Sequence, residues 1–138
     1  MRDFKVNQSA PAALRSLSLS PVPSHLEWGY HSIIRFLCGD YAGAIEACDR
    51  AHGVIKTLPA WRAAALHELG EEYMARTEAQ RFLNAMRSFW IGLTAPTDEE
   101  ITRWLLQAHP VSVNARWQTL RRALSGAGLP VENIPQTA

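Results

Sequence analysis

Residues 36–51 read FLCGDYAGAIEACDRA, and the break in the middle of this stretch decides the fold. Good helix formers surround Gly39 and Asp40, and apolar or small residues resume at helical spacing from Tyr41 onward. Glycine is the usual residue just past a helix end, and so short a link forces two helices to pack antiparallel. The stretch therefore predicts the turn of a helical hairpin.

Apolar residues recur at helical spacing along the rest of the chain, with no alternating pattern long enough for a strand. We therefore predict an all-α protein. Thr97, followed by Asp98, Glu99 and Glu100, predicts a capping box at the start of the fifth helix. The six expected helices cover residues 24–38, 41–57, 60–69, 72–93, 98–109 and 114–125.

Gly39 and Gly70 stand 31 residues apart in equivalent turns, close to the period of a helical-hairpin repeat. We expect stacked antiparallel hairpins over residues 24–96, followed by a helix pair over residues 97–128 that closes the C-terminal end of the stack. Residues 1–23 and 129–138 lack this periodicity, and we expect mostly flexible tails there.

Bulky, glycine and small residues take fixed positions in the two hairpins: Trp28, Gly39, Tyr41, Ala44 and Ala51 in the first, and Gly70 and Ala75 in the second. These spacings resemble the tetratricopeptide repeat (TPR), a hairpin unit of about 34 residues. The resemblance covers residues 13–93, and residues 13–21 look like the end of a preceding repeat. It implies a TPR-like α-solenoid that binds other proteins.

The last third of the chain carries a narrower resemblance. Residues 96–111, PTDEEITRWLLQAHPV, and residues 116–130, RWQTLRRALSGAGLP, look like the C-terminal end of TPR regions in bacterial multidomain regulators. In those proteins an adenylate or guanylate cyclase domain, or a winged-helix DNA-binding domain, precedes the repeats and has no counterpart here. The resemblance implies a detached sensory or scaffolding module, with a fragment of a larger regulator as the alternative.

The TPR register also implies a partner-binding surface. In the family, the first helix of each unit lines a concave groove that holds a peptide. The corresponding residues here are Ile33, Arg35, Phe36, Ala64 and His67. We expect a protein or peptide partner in this groove. The N-terminal end of the stack is less protected, and either residues 13–21 or a second copy of the chain would cover it. A homodimer through that end is therefore a second expectation.

Composition argues against several other classes of protein. The chain has 14 basic and 13 acidic residues, a formal charge of +1, which argues against an organisation around nucleic acid or a membrane surface. No apolar run approaches the roughly 18–20 residues of a membrane span, and no signal peptide is evident. A cytoplasmic protein is expected. Cys38 and Cys48 lie among apolar helical residues and are expected to be buried thiols.

No group of residues suggests catalysis. The five histidines have no metal-ligand spacing, and the acidic residues near Glu72 and Glu99 are explained by helix starts. We therefore expect no enzyme activity, cofactor or metal. The five tryptophans are expected to wedge helices together, with a solvent-facing aromatic platform at Trp28 or Trp61 as the alternative.

A different function is suggested by the basic residues of the final helix. Arg116, Arg121 and Arg122 lie on this helix, which with the fifth could form a helix-turn-helix DNA reader. Trp117, at the same time, commits one face of the helix to packing. A DNA-binding or transcription-regulatory protein is therefore the alternative to the interaction module.

Overall fold

The computed structural model describes residues 23–109, 111 and 113–136, and within them all regular structure is helical. The predicted all-α class is confirmed for this part of the chain. The expected N-terminal tail and repeat remnant, apart from Pro23, lie outside the described residues. The helices are α1 (His25–Leu37), α2 (Tyr41–Arg50), α3 (Leu58–Glu68), α4 (Glu72–Phe89), α5 (Asp98–Ala108) and α6 (Asn114–Gly126).

Two helices begin at capping boxes. The Thr97 hydroxyl accepts from the Glu100 amide at 3.1 Å, and the Glu100 carboxylate accepts from the Thr97 amide at 2.9 Å, which confirms the predicted box. That backbone hydrogen bond also lowers the pKa of the Glu100 carboxyl. Ser24 and Glu27 form the same motif at the start of α1. Side chains therefore satisfy backbone amides that the first turn would leave without partners.

The turns α1–α2 and α3–α4 share one geometry. Gly39 has φ 83° and Gly70 has φ 84°, a left-handed conformation that glycine adopts without steric cost. In each turn the residue after the glycine donates its amide to the carbonyl five residues back, at 2.8 Å and 2.9 Å. This is the Schellman closure of a helix end. Helix α1 packs closely against α2, and α3 packs closely against α4, so each pair forms a hairpin.

The second helix is shorter than expected. It ends at Arg50 because His52 and Gly53 take φ values of 50° and 73°, so the prediction of a helix to residue 57 is wrong. The chain turns back here and brings Ile55 onto α1, where its Cδ1 would lie 2.5 Å from a Cβ added at Gly29. Ile55 continued the helical spacing of apolar residues in the sequence, but in the structure it lies in the turn after α2 and packs against α1.

The central helix is α3, which packs against α1, α2, α4 and α6. Seven of its 11 residues are buried, and four of those are alanines at positions 60, 63, 64 and 65. Small side chains let the surrounding helices approach closely. Trp61 supplies the bulk on one side, with its ring edge-on to Phe36 at a centroid distance of 5.5 Å.

The C-terminal segment belongs to the core. Leu129, Val131 and Ile134 are buried in the same cluster as α3 and α6. Gly128, with φ 101°, turns the chain after α6, and the Leu129 amide donates to the Leu124 carbonyl at 3.0 Å. The expectation of a flexible tail over residues 129–138 therefore does not hold for residues 129–134, because three apolar side chains anchor them.

Candidate functional site

Two of the five residues predicted to line a peptide groove are buried in the core, and the other three are partly exposed. Phe36 is 2% exposed and Ala64 is fully buried, while Ile33 is half-buried and packs on the same cluster. The His67 ring lies against α6, so that a Cβ added at Gly126 would be 2.1 Å from it. α6 packs on α3, the helix that carries Ala64 and His67. Phe36 and Ala64 are not available to a partner in this fold.

Arg35 has a different environment from its neighbours. It is half-buried in the last turn of α1, and its Nε is buried without a hydrogen-bond partner among the described residues. The structure thus leaves Arg35, Ile33 and His67 partly accessible but does not bring them together on an open groove.

The repeat-signature residues take internal positions. Ala44, Ala51 and Ala75 are buried, and Tyr41 packs edge-on to Phe36 at 5.2 Å. Trp28 is half-buried under Arg50, whose Cζ lies 5.0 Å from the ring centroid. Trp61, the other residue suggested as a solvent-facing platform, is buried.

The basic residues of α6 are largely engaged within the chain. Arg122 pairs with Glu68 at 2.9 Å, and Arg121 donates to the Glu132 carbonyl at 2.8 Å. The same Glu68 lies near the Tyr41 hydroxyl. The pKa of that hydroxyl is raised, mainly by burial and then by the negative charge of Glu68. A phosphate backbone would have to displace these contacts before it could use the arginines.

A polar pocket of about 310 Å³ lies over α3, between α2 and α4. At its base the buried carboxylate of Glu78 accepts from Arg62 at 2.9 Å and from Arg81 at 2.7 Å. Arg62 also donates to Asp49 at 3.1 Å. Two arginines and two acids balance in charge and satisfy one another, so the cluster acts as a clamp between helices.

The two cysteines differ in their environment. Cys48 is buried, and burial raises the pKa of its thiol to about 11, although a contact with Ser32 at 2.8 Å acts in the opposite direction. A thiol with so high a pKa is a poor nucleophile. Cys38 is only half-buried. Residues 23–109, 111 and 113–136 hold no group of three His, Cys, Asp or Glu side chains placed for a metal ion.

An apolar cleft of about 510 Å³ lies where α4 ends and α5 passes beside it. α4 has 18 residues and α3 has 11, so in the hairpin α4 extends about 10 Å beyond its partner. That extension leaves the last turn of α4 open to solvent. The residues that line this apolar cleft are Lys56, Met86, Phe89, Trp90, Ile91 and Trp104.

The rim of the apolar cleft exposes large apolar side chains. Of the residues that line the cleft, Ile91 is 99% exposed, more than half of Phe89 faces solvent, and so do about two fifths of Trp104. Leu93, two residues further along the chain, is fully exposed. Single exposed apolar residues are common on protein surfaces, but a contiguous group around a cavity marks a binding surface.

One charged side chain lines the apolar cleft. The Lys56 ammonium lies 5.1 Å from the centroid of the Phe89 ring, within the range of a cation–π contact. Beside the cleft, Arg87 forms an ion pair with Asp98 and Arg103 pairs with Glu99. The surroundings of the cleft are thus close to neutral.

The loop that carries Lys56 is fixed by the end of α5. The Thr57 hydroxyl and His109 Nε2 are 2.8 Å apart, and the His109 ring packs edge-on to Trp61 at 5.9 Å. Burial lowers the pKa of His109 below its ordinary value of 6.5. The neutral imidazole is the form that fits this site.

We expect stability to fall as the pH drops below about 6.5, because the unfolded chain then binds a proton that folded His109 resists. Above that pH the imidazole is neutral in both states, and below the folded pKa the loss levels off. Urea unfolding at pH 7.5 and at pH 5.5 measures this difference. In His109→Gln the difference should shrink, whereas in the control His52→Asn, an exposed site, it should persist. Equal pH dependence in wild type and His109→Gln would contradict the assignment.

Sequence reasoning assigned Trp104 to helix packing and missed the apolar cleft. One signal was present: residues 89–93, FWIGL, form an apolar run around more than one helix face, just before the break at Thr94. An amphipathic helix needs only one apolar face to pack on the core. The apolar residues of this run that lie on its other faces would therefore be exposed to solvent. The pattern does not show where the chain folds back from α4 to α5, and the position of the cleft depends on that fold.

Comparison with protein-family models, with curated proteins and with solved structures finds no match for this chain. The resemblance to TPR units and to bacterial regulators therefore stays a prediction from the sequence. Within the described ranges, none of the helices is both long and apolar enough to cross a membrane.

Proposed function

We propose that this protein is a non-enzymatic protein–protein interaction module whose binding site is the apolar cleft. The single observation that carries the proposal is the group of exposed aromatic and aliphatic side chains around a cavity of about 510 Å³. Aromatic residues at a concave surface are typical anchor points of protein interfaces. The proposed binding site therefore lies at the end of α4, beside α5, and not in the groove predicted from the repeat register.

The proposal includes a TPR-like arrangement of the hairpins. Its support is the shared turn geometry at Gly39 and Gly70, together with buried small residues at Ala44 and Ala75. In such an array α6 would occupy the concave face, since it packs on α3. A partner would then bind at the α4–α5 corner.

The chemistry of the apolar cleft defines the partner it suits. Met86 and the aromatic rings offer dispersion contacts to an aliphatic or aromatic side chain. Lys56, which rests on the Phe89 ring, is the one charged group of the lining, so recognition depends mainly on apolar contact. The matching ligand is a neutral chain segment with one or two large apolar anchors.

We expect Trp104→Glu to weaken binding at the apolar cleft by about 30-fold, the effect of losing one hot-spot aromatic. The first probe is 8-anilinonaphthalene-1-sulfonate, an aromatic dye that becomes fluorescent in apolar sites, titrated against the folded chain. A displayed peptide library, selected on wild type and counter-selected on Trp104→Glu, then tests for protein ligands.

The matched control is Tyr73→Glu, since Tyr73 is an aromatic residue of α4 that is 84% exposed outside the apolar cleft. It should bind dye and peptides as wild type does. Peptides that bind Trp104→Glu and wild type equally, or a library that yields no binder, would overturn the proposed function.

A further inference from the structure

We infer that the apolar cleft is a self-association site: a second copy of this chain inserts Ile91 and Leu93 into it, while its own cleft receives the same two residues in return. This inference rests on the proposed function and names the partner. Its basis is that the chain carries both a cavity and, directly beside it, the protruding apolar groups that would fill it.

The protruding groups form a two-residue apolar knob. Ile91 and Leu93 follow α4 in a segment without helical structure, and both side chains are essentially fully exposed. Gly92 between them has no side chain, which allows the backbone of a second copy to come close. Nothing in the described part of the chain covers either side chain.

Position makes the contact reciprocal. Ile91 lines the edge of the apolar cleft, so knob and cavity share one surface. When two copies meet across a twofold axis, a patch that contains both a knob and a hole is self-complementary, and each copy fills the other. The closed pair leaves no further knob free, which favours a dimer over an open chain of copies.

Charge favours a second copy over a charged partner. The lining contains one charged side chain, Lys56, held on the Phe89 ring, and the adjacent Arg87 and Arg103 are paired with acids. A basic partner finds no acid in this lining, and an acidic partner finds a single lysine in an otherwise apolar surface. This chain, with a formal charge of +1, brings its own neutral apolar knob without strong repulsion.

The area predicts a weak dimer. Phe89, Ile91, Leu93 and Trp104 expose on the order of 600 Å² of apolar surface per copy. A twofold pair that covered all four side chains would bury roughly 1,200 Å², the lower end of specific interfaces, where weak and transient association is common, so we expect a Kd in the micromolar range.

Sedimentation equilibrium of the full chain, from about 5 µM to 500 µM, tests the inference across the expected Kd. Wild type should pass from monomer to dimer over this range. The double variant Ile91→Asp with Leu93→Asp should stay monomeric, and Tyr73→Asp should dimerise as wild type does. Because Ile91 and Leu93 are fully exposed, the double variant should keep the wild-type circular dichroism spectrum and melting temperature.

A cross-link reports the contact itself. With p-benzoylphenylalanine in place of Leu93, illumination of mixed light and heavy copies should give dimers joined to residues 86–104 of the other copy. A dimer that survives the double variant, or cross-links elsewhere, would overturn the inference. A wild type that stays monomeric would also overturn it. In that case dye and peptide binding that is lost in Trp104→Glu would still uphold the proposed function, with a different protein as the partner.

Discussion

Trp61→Ala should lower the free energy of unfolding by about 3–5 kcal/mol, the usual loss for a large aromatic side chain truncated in a core. Trp61 is 3% exposed, and its ring contacts Phe36 of α1 and His109 at the end of α5. No neighbouring side chain can fill the space without moving a helix, because alanines surround this position on α3. A domain of this size has about 5–15 kcal/mol in all, so the variant should be close to unfolding at 37 °C.

Trp61→Phe is the matched control. The indole Nε1 is buried without a hydrogen-bond partner among the described residues, so phenylalanine removes an unsatisfied donor while it keeps most of the ring volume. We expect a loss below about 1.5 kcal/mol. Urea unfolding of both variants, followed by circular dichroism at 222 nm, measures the two values. A loss in Trp61→Ala as small as that in Trp61→Phe would mean that α3 is not the centre of the core.

Ending the chain after Gly128 should cost about 5–9 kcal/mol, since burial of each of three large aliphatic side chains contributes about 1.5–3 kcal/mol. The three side chains lost are Leu129, Val131 and Ile134, all buried in the core cluster that also contains residues of α3 and α6. The truncated chain also loses the Leu129 amide that closes the end of α6. We expect α6 to lose part of its packing, and the face of α3 that α6 contacts to become exposed to solvent.

Urea unfolding and dye binding measure this effect, because an exposed α3 face should bind the apolar dye outside the apolar cleft. The full-length triple variant Leu129→Ser, Val131→Ser and Ile134→Ser should behave like the truncation. Asn133→Ala, at an exposed position of the same segment, should leave stability within about 0.5 kcal/mol of wild type. Unchanged stability after truncation would restore the flexible tail that the sequence predicted.

The parts of the fold that sequence analysis predicted correctly depend on local signals. The capping box at Thr97 and the turns at Gly39 and Gly70 act within a single helical turn, where backbone amides and carbonyls need partners whatever the rest of the chain does. Such signals are readable without knowledge of neighbours. The helix starts near residues 24, 41, 72, 98 and 114 were predicted within about a residue for this reason.

Errors arose where distant residues decide the outcome. Ile55 kept helical spacing in the sequence, yet the space beside Gly29 on α1 draws it into a turn. Phe36 and Ala64 matched the groove of a repeat family, yet both are buried: Phe36 packs against the rings of Tyr41 and Trp61, and Ala64 lies on α3, the helix at the centre of the core. An apolar pattern shows that a surface needs cover, but it does not show which segment provides it.

The sequence by itself therefore determined the helical class, the hairpin turns and their spacing, because propensity, capping and glycine geometry are properties of neighbouring residues. Only the tertiary structure decided that α6 packs on α3, that residues 129–134 join the core, and that the overhang of α4 leaves the apolar cleft open. The physical reason is competition: several apolar segments could cover the same face of α3, and helix lengths and long-range packing select the one that does. The segment left without cover, residues 89–93, became the candidate binding surface.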